Sequence, residues 1–208
     1  MLIIGLGTES RYRIGDESGQ SSKPRILPQK TYLQITQAKL PVIRQKLEEN
    51  NNGFLASDKG RALNPNDMVV LTDLISALES KKGLAMLSKV AIAAMGTLFR
   101  VITSWDPAPR LPALDLLRLT AAACPIPATF EVDGQKLVDI LELSGVFDKT
   151  QPNNALLGVR VFVNLFDNAK SREYLEANYE RILKLAIEAT TANTSKPLRV
   201  STTTLVLK

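Results

Sequence analysis

Three segments of this chain repeat one pattern at intervals of about forty residues. They read LPALDLLRLTAAAC (111–124), LLGVRVFVNLF (156–166) and KPLRVSTTTLVL (196–207), and each sets an arginine between aliphatic residues, at Arg118, Arg160 and Arg199, 42 and 39 residues apart. Periods near forty belong to HEAT and armadillo arrays, where one helical hairpin cannot bury its apolar face alone and must stack on the next. The spacing therefore predicts an all-α fold, an armadillo/HEAT-like right-handed α-solenoid. Such stacks present long grooves that suit extended peptides or nucleic acid better than they suit chemistry.

The helices can be placed from their start and stop signals. Thr36 is a candidate cap for a helix over 37–50, with Pro41 in its first turn and Asn50-Asn51-Asn52-Gly53 as its end. Asn64-Pro65 with Asp67 opens a second helix, which Lys81-Lys82-Gly83 closes. Residues 84–103 are apolar nearly all round, which predicts a helix enclosed by its neighbours. After the break at Trp105-Asp106-Pro107-Ala108-Pro109, further helices are expected over 112–124, 135–145, 154–167, 171–190 and 197–207. Residues 1–25 are rich in Gly, Ser and charge and read as a linker or mobile tail, with the folded domain running over 26–208. The last helix carries an apolar face with no repeat after it, as if the array were truncated.

Chemistry finds little to rest on. The chain has no histidine and one cysteine, which removes Ser-His-Asp and Cys-His catalysis, imidazole metal sites, internal disulfides and thiolate zinc clusters. Cys124 ends an apolar helix and reads as a small buried hydrophobe. There are no paired carboxylates in a shared context and no phosphate-binding loop; Gly5-Leu6-Gly7 is a bare G-x-G. The expectation is a non-enzyme without metal or cofactor. The amino terminus is too short and lacks the basic flank for a signal peptide, and no later window supplies about twenty uninterrupted apolar residues. The missing histidines and cysteine pairs fit the cytosol or nucleus. A net charge of +5 permits an acidic partner without requiring one.

Five residues are candidate ligand contacts. Arg160 and Asn164 lie one helical turn apart and so share a face on an otherwise apolar helix. Arginine offers a planar fork to carboxylates, and asparagine pairs with a peptide N–H and C=O together. The alternative for this pair is a hydrogen-bond ladder that holds neighbouring repeats in register. Arg118, three residues after Asp115, is either locally paired or oriented by Asp115 into the groove. Arg100 reaches toward the same groove or snorkels at its rim. Trp105 stacks on a ligand aromatic or plugs the core at the helix break.

Four blocks also resemble the PUL domain, the carboxy-terminal armadillo-like module of PLAA-type ubiquitin-binding proteins. They are ILPQKTYLQITQAKLPVIRQKLEENN (26–51), WDPAPRLPALDLLRL (105–119), NNALLGVRVFVNLFDN (153–168) and RVSTTTLVLK (199–208). The second and third are the specific ones, and Lys208 departs from the pattern, where an Asn is expected. The resemblance implies a curved armadillo stack that binds the acidic, aromatic-bearing carboxy-terminal tail of the AAA ATPase valosin-containing protein. It also implies a place in ubiquitin homeostasis and protein degradation, through upstream domains not seen here, and final repeats beyond Lys208. The competing expectation is a HEAT-like nucleic-acid binder, which needs a continuous Lys/Arg stripe; here the basic residues are interleaved with Asp and Glu.

Overall fold

Proline at a helix start sets much of this architecture, because its missing N–H is one of the unpaired donors there and its φ is already helical. The computed structural model describes residues 32–208, with nine helices and no strand among them. These are α1 (Leu40–Ser57), α2 (Pro65–Glu79), α3 (Leu84–Ser104), α4 (Leu111–Ala123), α5 (Ile126–Thr129), α6 (Leu137–Leu143), α7 (Pro152–Leu165), α8 (Ala169–Thr191) and α9 (Lys196–Val206). Helices α1, α2, α4, α5, α7 and α9 carry a proline in the first turn. The tail expected over 1–25, the Gly5–Gly7 pair and the start of the domain at residue 26 lie outside the described residues.

The three repeat segments are α4, α7 and α9, and they pack in that order, with α1 against the other side of α4. A second row runs α3, α6, α8, with α2 beside α3 and α5 wedged against α4 and α8. Helix α7 is thus flanked by α4, α8 and α9, and Val159, Val161, Phe162, Val163 and Leu165 are all buried. The array is all-α and solenoid-like, as the period predicts.

Local signals and packing agree at most boundaries. Asn64 Oδ1 accepts from Asp67 N at 3.0 Å while Asp67 Oδ2 accepts from Asn64 N at 2.9 Å, a reciprocal cap worth roughly 1 kcal/mol. After α6, Gly145 sits at φ +67°, the left-handed conformation that glycine adopts most cheaply, and Val146 N closes on Leu141 O at 3.0 Å. Gly158 has another role: a Cβ there would stand 2.7 Å from Val146 Cγ1 and 3.0 Å from Phe147 Cζ, so α7 needs a glycine to seat the 146–147 turn.

Two expectations need correction. Helix α1 begins at Leu40 rather than 37 and runs through the Asn-rich stretch to Ser57. Tertiary contacts override the weak helix propensity of Asn and Gly. Buried Asn51 accepts from Leu63 N at 2.6 Å and donates to Leu63 O at 3.2 Å, and Phe54 packs on Trp105 with ring centroids 4.9 Å apart. Helix α3 is only partly enclosed: Ala91, Ala94, Met95, Leu98 and Ile102 are buried, but Leu84, Met86 and Ile92 are exposed.

The buried phenol of Tyr174 gives a pH test of this packing. Its hydroxyl accepts from Val138 N at 2.8 Å, and burial pushes its pKa up to about 12. Because the folded pKa exceeds the unfolded value of about 10, the associated stability is complete below about pH 10 and is lost as pH rises toward about 12. Urea titrations between about pH 9 and about pH 12 should show that fall, and Tyr174→Phe should flatten it. An equal fall in the variant would assign the loss to other groups.

Candidate functional site

Residues 32–39 form no helix or strand. They run as an extended strap across α4 and α7, and the side chains of those helices bind its main chain. Asn164, fully buried, accepts from Ile35 N at 2.7 Å and donates to Ile35 O at 3.1 Å and to Arg118 O at 2.9 Å. Arg118, only 2% exposed, donates from Nη1 to Ile35 O and from Nη2 to Gln37 O at 3.2 Å. Its Nε and Nη2 also pair with Asp115 at 2.7 Å. Farther along, Gln34 Nε2 donates to Ala122 O and Asp167 Oδ2, each at 3.0 Å, and Lys208 Nζ donates to Leu33 O at 2.6 Å. The dual capture of N–H and C=O expected of Asn164 therefore occurs, but the peptide captured is the chain's own. Its bond to Arg118 O also supplies the expected ladder between neighbouring repeats.

Beside the strap lies a groove of about 410 Å³, lined by Gln37, Val42, Lys46, Asp115, Leu156 and Arg160 among others. Arg160 is its half-buried cation. The Nε donates to Ser201 Oγ at 3.2 Å, and no carboxylate lies within ion-pairing distance of Arg160 among the described residues. Burial, then the neighbouring Arg118 charge, pushes its pKa down, against the opposing pull of Asp115. Arginine still stays protonated throughout the physiological range. Lys46, whose ammonium meets Glu49 at 2.7 Å in an exposed pair, contributes a second positive charge that a ligand can recruit at small cost. At the other end of the strap a hollow of about 370 Å³ is walled by Tyr32, Phe166 and Tyr179, with Arg172 and Lys208 at its edges.

The five sequence candidates separate accordingly. Arg118, Asn164 and Arg160 come together. Arg118 also borders the groove, but it is 2% exposed and its donors go to the strap and Asp115. Asn164 is held by the strap and Arg118 O, and Arg160 keeps donors open to the groove. Arg100 is not among the groove residues: it pairs with Asp67 Oδ2 at the start of α2, its side chain 49% exposed. Trp105 is a core residue, 2% exposed, and its Nε1 donates to Arg61 O at 2.8 Å. It has no free face for a ligand ring. Arg199, the third repeat arginine, is exposed on α9 and does not line the groove. Cys124 is buried as expected, and burial pushes its thiol pKa up, against reactivity. Sequence reasoning passed over Lys46, whose signal was only its position on the face of α1 one turn after Val42. It also missed the strap's occupation of α4 and α7, for which residue order gives no signal.

An all-α array with a cationic groove built beside an extended segment offers a surface on which another chain can lie. The family model described as PUL domain matches residues 27–207, and the chain belongs to that family of protein-binding, rather than catalytic, domains. No curated protein matches the chain.

Proposed function

We propose that this domain binds the acidic carboxy-terminal tail of a valosin-containing-protein-type AAA ATPase in the groove beside the strap. On this reading it links that ATPase to ubiquitin-dependent degradation in the cytosol and nucleus. The observation that carries the reading is Arg160: a half-buried guanidinium that donates to one hydroxyl and has no carboxylate within ion-pairing distance among the described residues, Asp115 on the same groove being paired with Arg118. A desolvated cation of this kind gains most from an incoming anion, since a charge-assisted bond is roughly twice as strong as a neutral one. The apolar walls at Val42, Leu111, Leu156 and Leu157 favour a peptide with apolar side chains over a phosphate backbone. Elsewhere Arg44, Arg61, Arg100 and Arg181 are matched with carboxylates, which works against the continuous stripe that nucleic acid needs.

Calorimetric titration of the full chain with a synthetic tail peptide tests the reading. Binding in the micromolar range is expected, and it should weaken as salt rises from about 0.05 M to about 0.5 M, where screening shortens to a few ångströms. A peptide with its Asp and Glu changed to Asn and Gln should bind far more weakly. Equal affinity for both peptides, or no heat with either, overturns the proposal.

A further inference from the structure

The strap is attached in an unusual way. Among the described residues, the segment from Tyr32 to Ala38 makes no backbone-to-backbone hydrogen bond to the rest of the fold. The side chains of Asn164, Arg118 and Lys208 hold its main chain, and Gln34 adds its own side-chain bonds. Leu33 is 61% exposed, and residues 36–39 are exposed as well. Tyr32 and Ile35 are its two apolar anchors on the core, with the Tyr32 ring 5.9 Å from Phe166. Two half-buried side chains and a handful of polar contacts mark a segment that opens locally, below the cost of global unfolding. Opening also rehydrates the guanidinium of Arg118, which offsets part of the bonds lost. Yet Gln37 of this segment is a wall of the groove. The wall stands only while the strap is docked.

We propose that Arg118 and Asn164 are positioning residues, and that strap docking and peptide binding form one linked equilibrium. The clamp holds the strap, the strap completes the groove, and Arg160 with Lys46 contacts the ligand. Whatever binds only the docked form must stabilise docking by the same free energy, and any weakening of docking must lower the apparent affinity. Arg118, although it borders the groove, then acts on binding through the strap. This inference rests on the groove being the peptide site proposed above.

Hydrogen exchange on the full chain, free and saturated with the synthetic tail peptide, tests the linkage. The Ile35 amide, which donates to Asn164, reports strap opening, and the Val161 amide in the core of α7 reports global unfolding. In the free protein Ile35 should exchange much faster than Val161. At peptide concentrations about 100 times Kd, Ile35 exchange should slow by about 100-fold. If the peptide binds by calorimetry but leaves Ile35 exchange unchanged or faster, the linkage is wrong; if it does not bind at all, the functional reading is wrong instead. Equal exchange at Ile35 and Val161 in the free protein also overturns the inference, since the strap would then open only with the fold.

A variant confined to the strap gives a second readout. Ile35→Pro removes the N–H donated to Asn164 while leaving α4 and α7 intact, and proline suits an extended segment. Peptide affinity should fall about tenfold, and adding Arg118→Ala together with Asp115→Asn, so that no groove carboxylate loses its partner, should lower it less than about twofold further, the signature of two residues acting through one contact. Adding Arg160→Ala should multiply the loss. A full additional loss from the Arg118→Ala, Asp115→Asn pair in the Ile35→Pro background would show direct ligand contact and sink the proposal.

Discussion

Replacing Arg110 with methionine should destabilise the domain by roughly 3–5 kcal/mol, because it leaves several buried acceptors without a donor at about 1–3 kcal/mol each. Arg110 precedes α4 and is 3% exposed. Its Nε donates to Asn154 Oδ1 at 2.7 Å, Nη1 to Ile102 O and Ser144 O, and Nη2 to Gly145 O at 3.2 Å. Asn154 in turn donates to Pro107 O at 3.0 Å. One side chain therefore satisfies the end of α3, the turn after α6 and the first turn of α7. Methionine has similar length but no donor, and each buried carbonyl left unpaired costs about 1–3 kcal/mol. Total stability for a domain is about 5–15 kcal/mol, so the loss should lower the thermal midpoint by about 10 °C or more at this chain length. Denaturant melts of the two proteins measure it; a change under about 1 kcal/mol would mean that water replaces the guanidinium at these carbonyls.

The second large effect is expected at Arg160. Arg160→Ala should weaken tail-peptide binding by about 10- to 100-fold, the equivalent of a charge-assisted bond of about 1.5–3 kcal/mol. Arg160→Glu should abolish binding, because Asp115 already lines the same groove and a second carboxylate repels the ligand. Arg160→Lys should recover part of the affinity, keeping the charge and losing the fork. Ser201→Ala is the control: it removes the hydroxyl that Arg160 Nε holds but leaves the cation, so affinity should change little. Calorimetry of the four variants at one salt concentration decides the matter. Unchanged affinity in Arg160→Glu would exclude the groove as the binding site.

The sequence yields the helices more readily than the site. The forty-residue recurrence, the helix-opening prolines and the Asn64 cap are local signals that burial reinforces, so the all-α array is legible before any coordinates. Boundaries fail where a distant partner decides: Asn51 holds Leu63, and that tie carries α1 past a stretch that reads as a stop. The candidate residues show the same division. The bonding capacity of Arg118 and Asn164 follows from their side chains and is realised, but no spacing reveals that residues 33–37 fold back to use it. Trp105 and Arg110 are decided wholly by long-range packing, and periodicity is silent about both.

Arg118 and Asn164 hydrogen-bond only main-chain atoms of the segment they hold, and every peptide has those atoms. The identity of residues such as Leu33 and Thr36 is therefore loosely constrained, whereas the two grips are fixed to their chemistry. Over evolutionary time this segment can drift in composition, and with it the lining it lends to the neighbouring groove. The domain can thus retune what it recognises without redesigning its helices.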